Sequence, residues 1–113
     1  MDGEIREYSG YLCFPPLSDE QISTLRKLVD KSVSFIADIG PTFLELSYTG
    51  RDSSRFIVNF LKDAAAVVGN AKGEVLCEID EDGALTFEFY SICSGQLFWQ
   101  HGHIVRSESL PID

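Results

Sequence analysis

Six stretches of the chain alternate apolar with polar residues, and two carry apolar residues at helical spacing. Glu4 to Phe14 reads as a first strand, with Ser9-Gly10 marking a bulge or a bend, and Pro15-Pro16 stops it because proline has no N–H for a ladder. Ser18 then opens a helix predicted over 19–31: Gln21 completes a capping box with it, and Leu17 and Ile22 are placed for a hydrophobic staple. Asp19 and Glu20 suit its first turn, Lys27 and Lys31 its end, and Ile22, Leu25, Leu28 and Val29 form one apolar stripe. Val33, Phe35, Ala37 and Ile39 alternate along a second strand, and Leu44, Leu46 and Tyr48 along a third, with Gly40-Pro41 as the turn between them.

A second helix follows, capped by Asp52 or Ser53 and ended by Gly69-Asn70. Phe56, Ile57, Phe60, Leu61, Ala64, Ala65 and Val68 make its stripe. The last third reads as an antiparallel meander of strands 74–79, 84–92 and 96–105. Asp80 to Gly83 forms the first turn, where Asp-Gly is a strong hairpin signal, and Ser94-Gly95 the second. Leu85, Phe87 and Phe89 share one face of the middle strand and are expected to meet the helices, leaving Thr86, Glu88 and Tyr90 on the other face. The tail 107–113 has no pattern.

The order is β-α-β-β-α-β-β-β. It predicts the α+β class: an antiparallel sheet with two helices on one face and the other face partly exposed. The first six elements match the split β-α-β of ferredoxin-like folds, with the final strand an addition. Residues 1–113 read as a single α+β domain without linker or repeat, a common domain size.

Charge narrows the list of partners. The chain has a net charge of −9, which argues against direct contact with nucleic acid or an anionic membrane and favours a protein with a basic surface. No stretch approaches 18 consecutive apolar residues, and the acidic N-terminus is followed by no apolar core of a secretory signal. Cys13, Cys77 and Cys93 form no CxxC or zinc spacing and read as reduced, mostly buried thiols, which points to a cytoplasmic location.

Candidate chemistry is thin. Glu78, Asp80 and Asp82 before Gly83 resemble the opening of a calcium loop, but Phe89 stands where the bidentate acid belongs. His101 and His103 share a strand face and could supply two metal ligands, with no third at a telling spacing. A cysteine could meet one of these histidines as a nucleophile, although Cys77 lies on an apolar face with Val75 and Ile79 and is better explained by burial. No phosphate loop, dinucleotide fingerprint or nucleophile elbow occurs, and 69–73 reads as a plain connection. The reading is therefore a non-enzyme with no cofactor and no metal site.

The acidic run carries more information. Between Gly73 and Val105 stand six acids (Glu74, Glu78, Asp80, Glu81, Asp82, Glu88) and no Lys or Arg, together with Phe87, Phe89, Tyr90, Phe98 and Trp99. Aromatics that anchor and charges that steer suit a face for a basic protein, and Asp80, Glu81, Asp82, Glu88 and Trp99 are its expected contacts. Phe98 and Trp99 point to opposite faces of a regular strand, so one of them is free to be exposed. The expected function is an acidic protein-binding module of the inhibitor or immunity type that neutralises a basic, nucleic-acid-acting partner. A homodimeric assembly subunit is one alternative. The other is a small-molecule site or enzyme using Glu45, Glu88, Tyr90, His101 and His103.

Overall fold

A computed structural model describes residues 4–30, 36–52 and 55–102. Its elements are β1 (Glu4–Cys13), α1 (Asp19–Asp30), β2 (Ile36–Ile39), β3 (Phe43–Gly50), α2 (Phe56–Val68), β4 (Val75–Glu81), β5 (Ala84–Cys93) and β6 (Gln96–Gly102). The strands form one six-stranded sheet in the order β2-β3-β1-β4-β5-β6, antiparallel at every pairing. Along β2-β3-β1-β4 this is the ferredoxin-like order, and two further strands, β5 and β6, extend the sheet beyond β4. Val33, Phe35, Lys31, Ser53, His103 and the tail lie outside the described residues.

Local chemistry accounts for the ends of the elements. The capping box forms reciprocally: the Gln21 N–H donates to Ser18 Oγ at 3.1 Å, and the Ser18 N–H donates to Gln21 Oε1 at 2.9 Å. Gln21 Nε2 also donates to the Val67 carbonyl at 2.9 Å, tying the start of α1 to the end of α2. Asp52 serves α2 from a distance, its Oδ1 accepting the Phe56 N–H at 2.8 Å. The Asp82-Gly83 and Ser94-Gly95 turns both have positive φ at their two residues, which is the hairpin geometry that follows the twist of the strands.

Both helices lie on one side of the sheet, where their apolar stripes meet the inward residues of the strands. Leu25 of α1 and Ile57, Phe60, Leu61, Ala64 and Ala65 of α2 pack on Tyr8, Leu12, Leu44, Leu46, Val75, Cys77, Tyr90 and Ile92. Each large apolar side chain so buried contributes roughly 1.5–3 kcal/mol.

Three expectations are corrected. β1 pairs in unbroken register through Ser9 and Gly10 on both of its neighbours, so there is no bulge. The glycine instead allows close approach: a Cβ there would lie 2.6 Å from the Val75 Cα. The inward face of β5 is the even-numbered one, with Glu88, Tyr90 and Ile92 buried and Leu85 exposed. The reason is parity. The two-residue turn pairs Cys77 with Glu88 and Val75 with Tyr90, so the inward odd positions of β4 face even positions of β5. Of the three cysteines only Cys77 is buried, while Cys13 and Cys93 are exposed.

Candidate functional site

Two arrangements stand out, one on each side of the sheet. The side away from the helices is uncovered. The register places on it Ile5, Tyr11, Phe43, Leu76, Leu85, Phe87, Phe89 and Phe98. Ile5 is 41 % exposed, and Tyr11, Leu85 and Phe98 are each 49 % exposed. Tyr11 and Phe43 stack across the β1–β3 ladder with ring centres 5.6 Å apart. Phe89 lies directly across the ladder from Leu76, and Phe98 from Ser91. Glu7, Asp38, Glu45, Glu78 and Asp80 share this face, outnumbering the base at its edge, Lys72, which is bridged to the outward Cys13. Asp80 Oδ1 accepts the Gly83 N–H at 2.9 Å, so the exposed hairpin tip of Asp80, Glu81 and Asp82 borders the same face.

The helix side holds a buried polar network. Arg6 shares the inward face of β1 with Tyr8 and Leu12, where a guanidinium needs a partner. Its Nη1 donates to Glu88 Oε1 at 3.1 Å, and its Nε to Glu4. Glu88 also accepts from the Tyr90 hydroxyl, the Trp99 indole N–H is near enough to favour its ionised form, and Arg55 Nη2 stands 3.7 Å away. Tyr8 donates to Asp52 Oδ2 at 2.8 Å while Asp52 Oδ1 holds the first turn of α2. No buried side-chain N or O among the described residues lacks a partner.

The protonation states follow from these contacts. Burial opposes ionisation of Glu88, but bonds from Tyr90, Trp99 and Arg6 outweigh it and hold the carboxyl below the usual range. Burial works against the Arg6 charge too, and its bonds to Glu4 and Tyr8 overcome that and raise its pKa. Tyr8 and Tyr90 are both raised, first by burial and then by their bonds to Asp52 and Glu88. The Cys77 thiol is pushed up to about 11 by burial, the opposite of an activated nucleophile. It is also separated from His101 by Glu88 on the intervening strand, two ladder spacings of roughly 5 Å each.

The expected contact residues therefore divide. Asp80, Glu81 and Asp82 are exposed at the tip and Trp99 is 57 % exposed, but Glu88 is buried in the network. Phe98 and Trp99 do point to opposite faces, and both are exposed. Of the polar groups expected to share a cavity, Glu88 and Tyr90 converge and His101 stacks on Trp99, whereas Glu45 lies on the open face. Among the described residues no three His, Cys, Asp or Glu side chains gather in a metal-binding cluster. Arg6, Tyr8, Asp52 and Arg55 were not expected at a site. Arg6 has a sequence signal, its parity with Tyr8 and Leu12; the backbone of Arg55 has none.

Comparison with protein-family models, with curated proteins and with solved structures finds no match for this chain. Among the described residues no helix is long and apolar enough to cross a membrane.

Proposed function

We propose that the protein is an acidic binding module whose open sheet face receives a basic, amphipathic element of a partner protein. The observation that carries this reading is the composition of that face. It combines partly exposed Ile5, Tyr11, Leu85 and Phe98 with five carboxylates that outnumber the base at its edge, Lys72. Exposed aromatic and aliphatic side chains supply anchors, while the carboxylates steer a positive partner and repel a wrong one. A second copy is a poor occupant, because face-to-face pairing sets Glu7, Glu45 and Glu78 against like charges in a chain of net −9. Occupation of a basic working surface would neutralise the partner, which is the inhibitor or immunity type of action.

The test compares capture from the native lysate by the wild-type protein and by three variants: Leu85→Ser with Phe98→Ser, Glu7→Lys with Glu78→Lys, and charge reversal of Asp80, Glu81 and Asp82. A basic protein should be held at low salt and weakened at moderate salt. The first two variants should lose it, and the third should slow its association. Retention by all three variants excludes this face. A concentration-dependent dimer in light scattering, lost in the Leu85/Phe98 variant, would replace the partner with a second copy.

A further inference from the structure

A cleft of about 640 Å³ separates the flank of α2 from β5 and β6, on the helix side of the sheet and away from the open face. That volume suits a small organic ligand. Trp99, Tyr90 and Leu97 wall it on the sheet side, Arg55 and Lys62 stand on the helix side, and Glu88 lies at its inner end.

Three observations set the cleft apart. The first is Trp99. The residue is 57 % exposed, so it adds little to the core, yet it is oriented. His101 stacks on it with ring centres 6.0 Å apart and planes 1° from parallel. Leu97 lines the cleft and His101 does not, so the free indole face looks over the cleft. An aromatic ring fixed before any ligand arrives needs no ordering on binding.

The second is Arg55. It sits at the start of α2 with φ 58° and ψ 38°, a left-handed conformation that long L side chains rarely adopt. From there its Nη2 lies 3.4 Å from the Tyr90 hydroxyl. The third is charge. Glu88 is one carboxylate shared between two guanidiniums, Arg6 at 3.1 Å and Arg55 at 3.7 Å, and it also accepts from Tyr90. With the exposed Lys62 added, the mouth of the cleft is positive in a protein of net charge −9.

We propose that this cleft binds a small planar anion, an aromatic ring bearing a carboxylate or phosphate, with the ring stacked on Trp99 and the charge held between Arg55 and Lys62. Indole offers a flat apolar face to the ring, and the two cations select the anion over its neutral isostere.

Trp99 is the one tryptophan of the chain, so indole fluorescence and the indole N–H resonance report on this cleft alone. Benzoate and phenyl phosphate are the probes, with benzamide as the neutral isostere. One of the anions should give a saturable change, and the better one names the anionic group. Benzamide should bind about tenfold more weakly, the worth of one charge-assisted contact. Lys62→Gln, at an exposed position where folding is not at stake, should weaken the anion about threefold, with Arg55→Gln at least as severe. Phe98→Ser, on the opposite sheet face, should leave it unchanged, which keeps this result separate from partner binding. Absence of a saturable change with both anions overturns the proposal. So does equal affinity for benzamide, or unchanged affinity in the Arg55/Lys62 double variant.

Discussion

The two faces of the sheet treat charge in opposite ways. On the helix side the charged groups that are buried all have partners: Arg6 with Glu4 and Glu88, Glu88 with Tyr90, Asp52 with Tyr8 and the Phe56 N–H. On the open side five carboxylates stand among partly exposed apolar side chains, in no ion pair with a described residue and outnumbering the base at the edge of that face, Lys72. A buried charge must be matched within the fold, since desolvation is costly, whereas an exposed one leaves water as its partner and its field available to another molecule. The buried network is thus closed on itself electrostatically, and the open face is directed outward.

Substitutions at equivalent carboxylates should separate the faces most sharply. Glu88→Ala leaves the buried Arg6 guanidinium with Glu4 as its remaining carboxylate and should cost about 3–5 kcal/mol in urea unfolding at unchanged slope, while Glu78→Gln on the open face should stay within about 0.5 kcal/mol. Replacing the pair together, Arg6→Met with Glu88→Leu, should recover most of the loss. If it does not, the network contributes more than mutual compensation.

Alkaline pH should come next. Cys77 releases its proton near 9.0 when unfolded and is pushed up to about 11 in the fold. Between those values the folded state holds the extra proton, so stability falls as pH rises, by about 2–3 kcal/mol for a shift of that size. Tyr8 and Tyr90 are raised as well and act in the same direction at higher pH. Glu88 has the opposite sign on the acid side. Its lowered pKa gives stabilisation that is complete above the ordinary carboxylate range and is lost as pH falls through the lowered value. Urea midpoints across pH should therefore bend down at both ends, and Glu88→Gln should flatten the acid limb.

Smaller effects complete the comparison. Tyr8→Phe leaves Asp52 Oδ2 without its 2.8 Å donor and should cost about 1–3 kcal/mol. Leu85→Ser or Phe98→Ser should change stability by no more than about 0.5 kcal/mol while removing partner capture. A large loss of stability from either would mean that this face is packed against something within the chain.

Much of this architecture is legible in the residues. Ser18 and Gln21 announce α1, Asp-Gly and Ser-Gly announce the two hairpins, and the element order leads to the α+β sheet. The face of β5 was legible as well, through a constraint rather than a pattern. With Val75, Cys77 and Ile79 inward, an even-numbered turn can only bring Glu88 and Tyr90 inward. Apolarity taken alone points to Leu85, Phe87 and Phe89, and it misleads because this sheet carries aromatic side chains on its uncovered face.

The sequence by itself determined the elements, their order and the acidity of the last third, because caps, turns and periodicity act over a few residues and net charge is a sum. Only the tertiary structure decided that Glu88 is a buried partner of Arg6, that Arg55 and Lys62 face Trp99 across a cleft, and that acids from β1 to β4 share one open face. These relations join residues as far as 82 positions apart, and their cause is the pairing of strands distant in the chain, which no local pattern encodes.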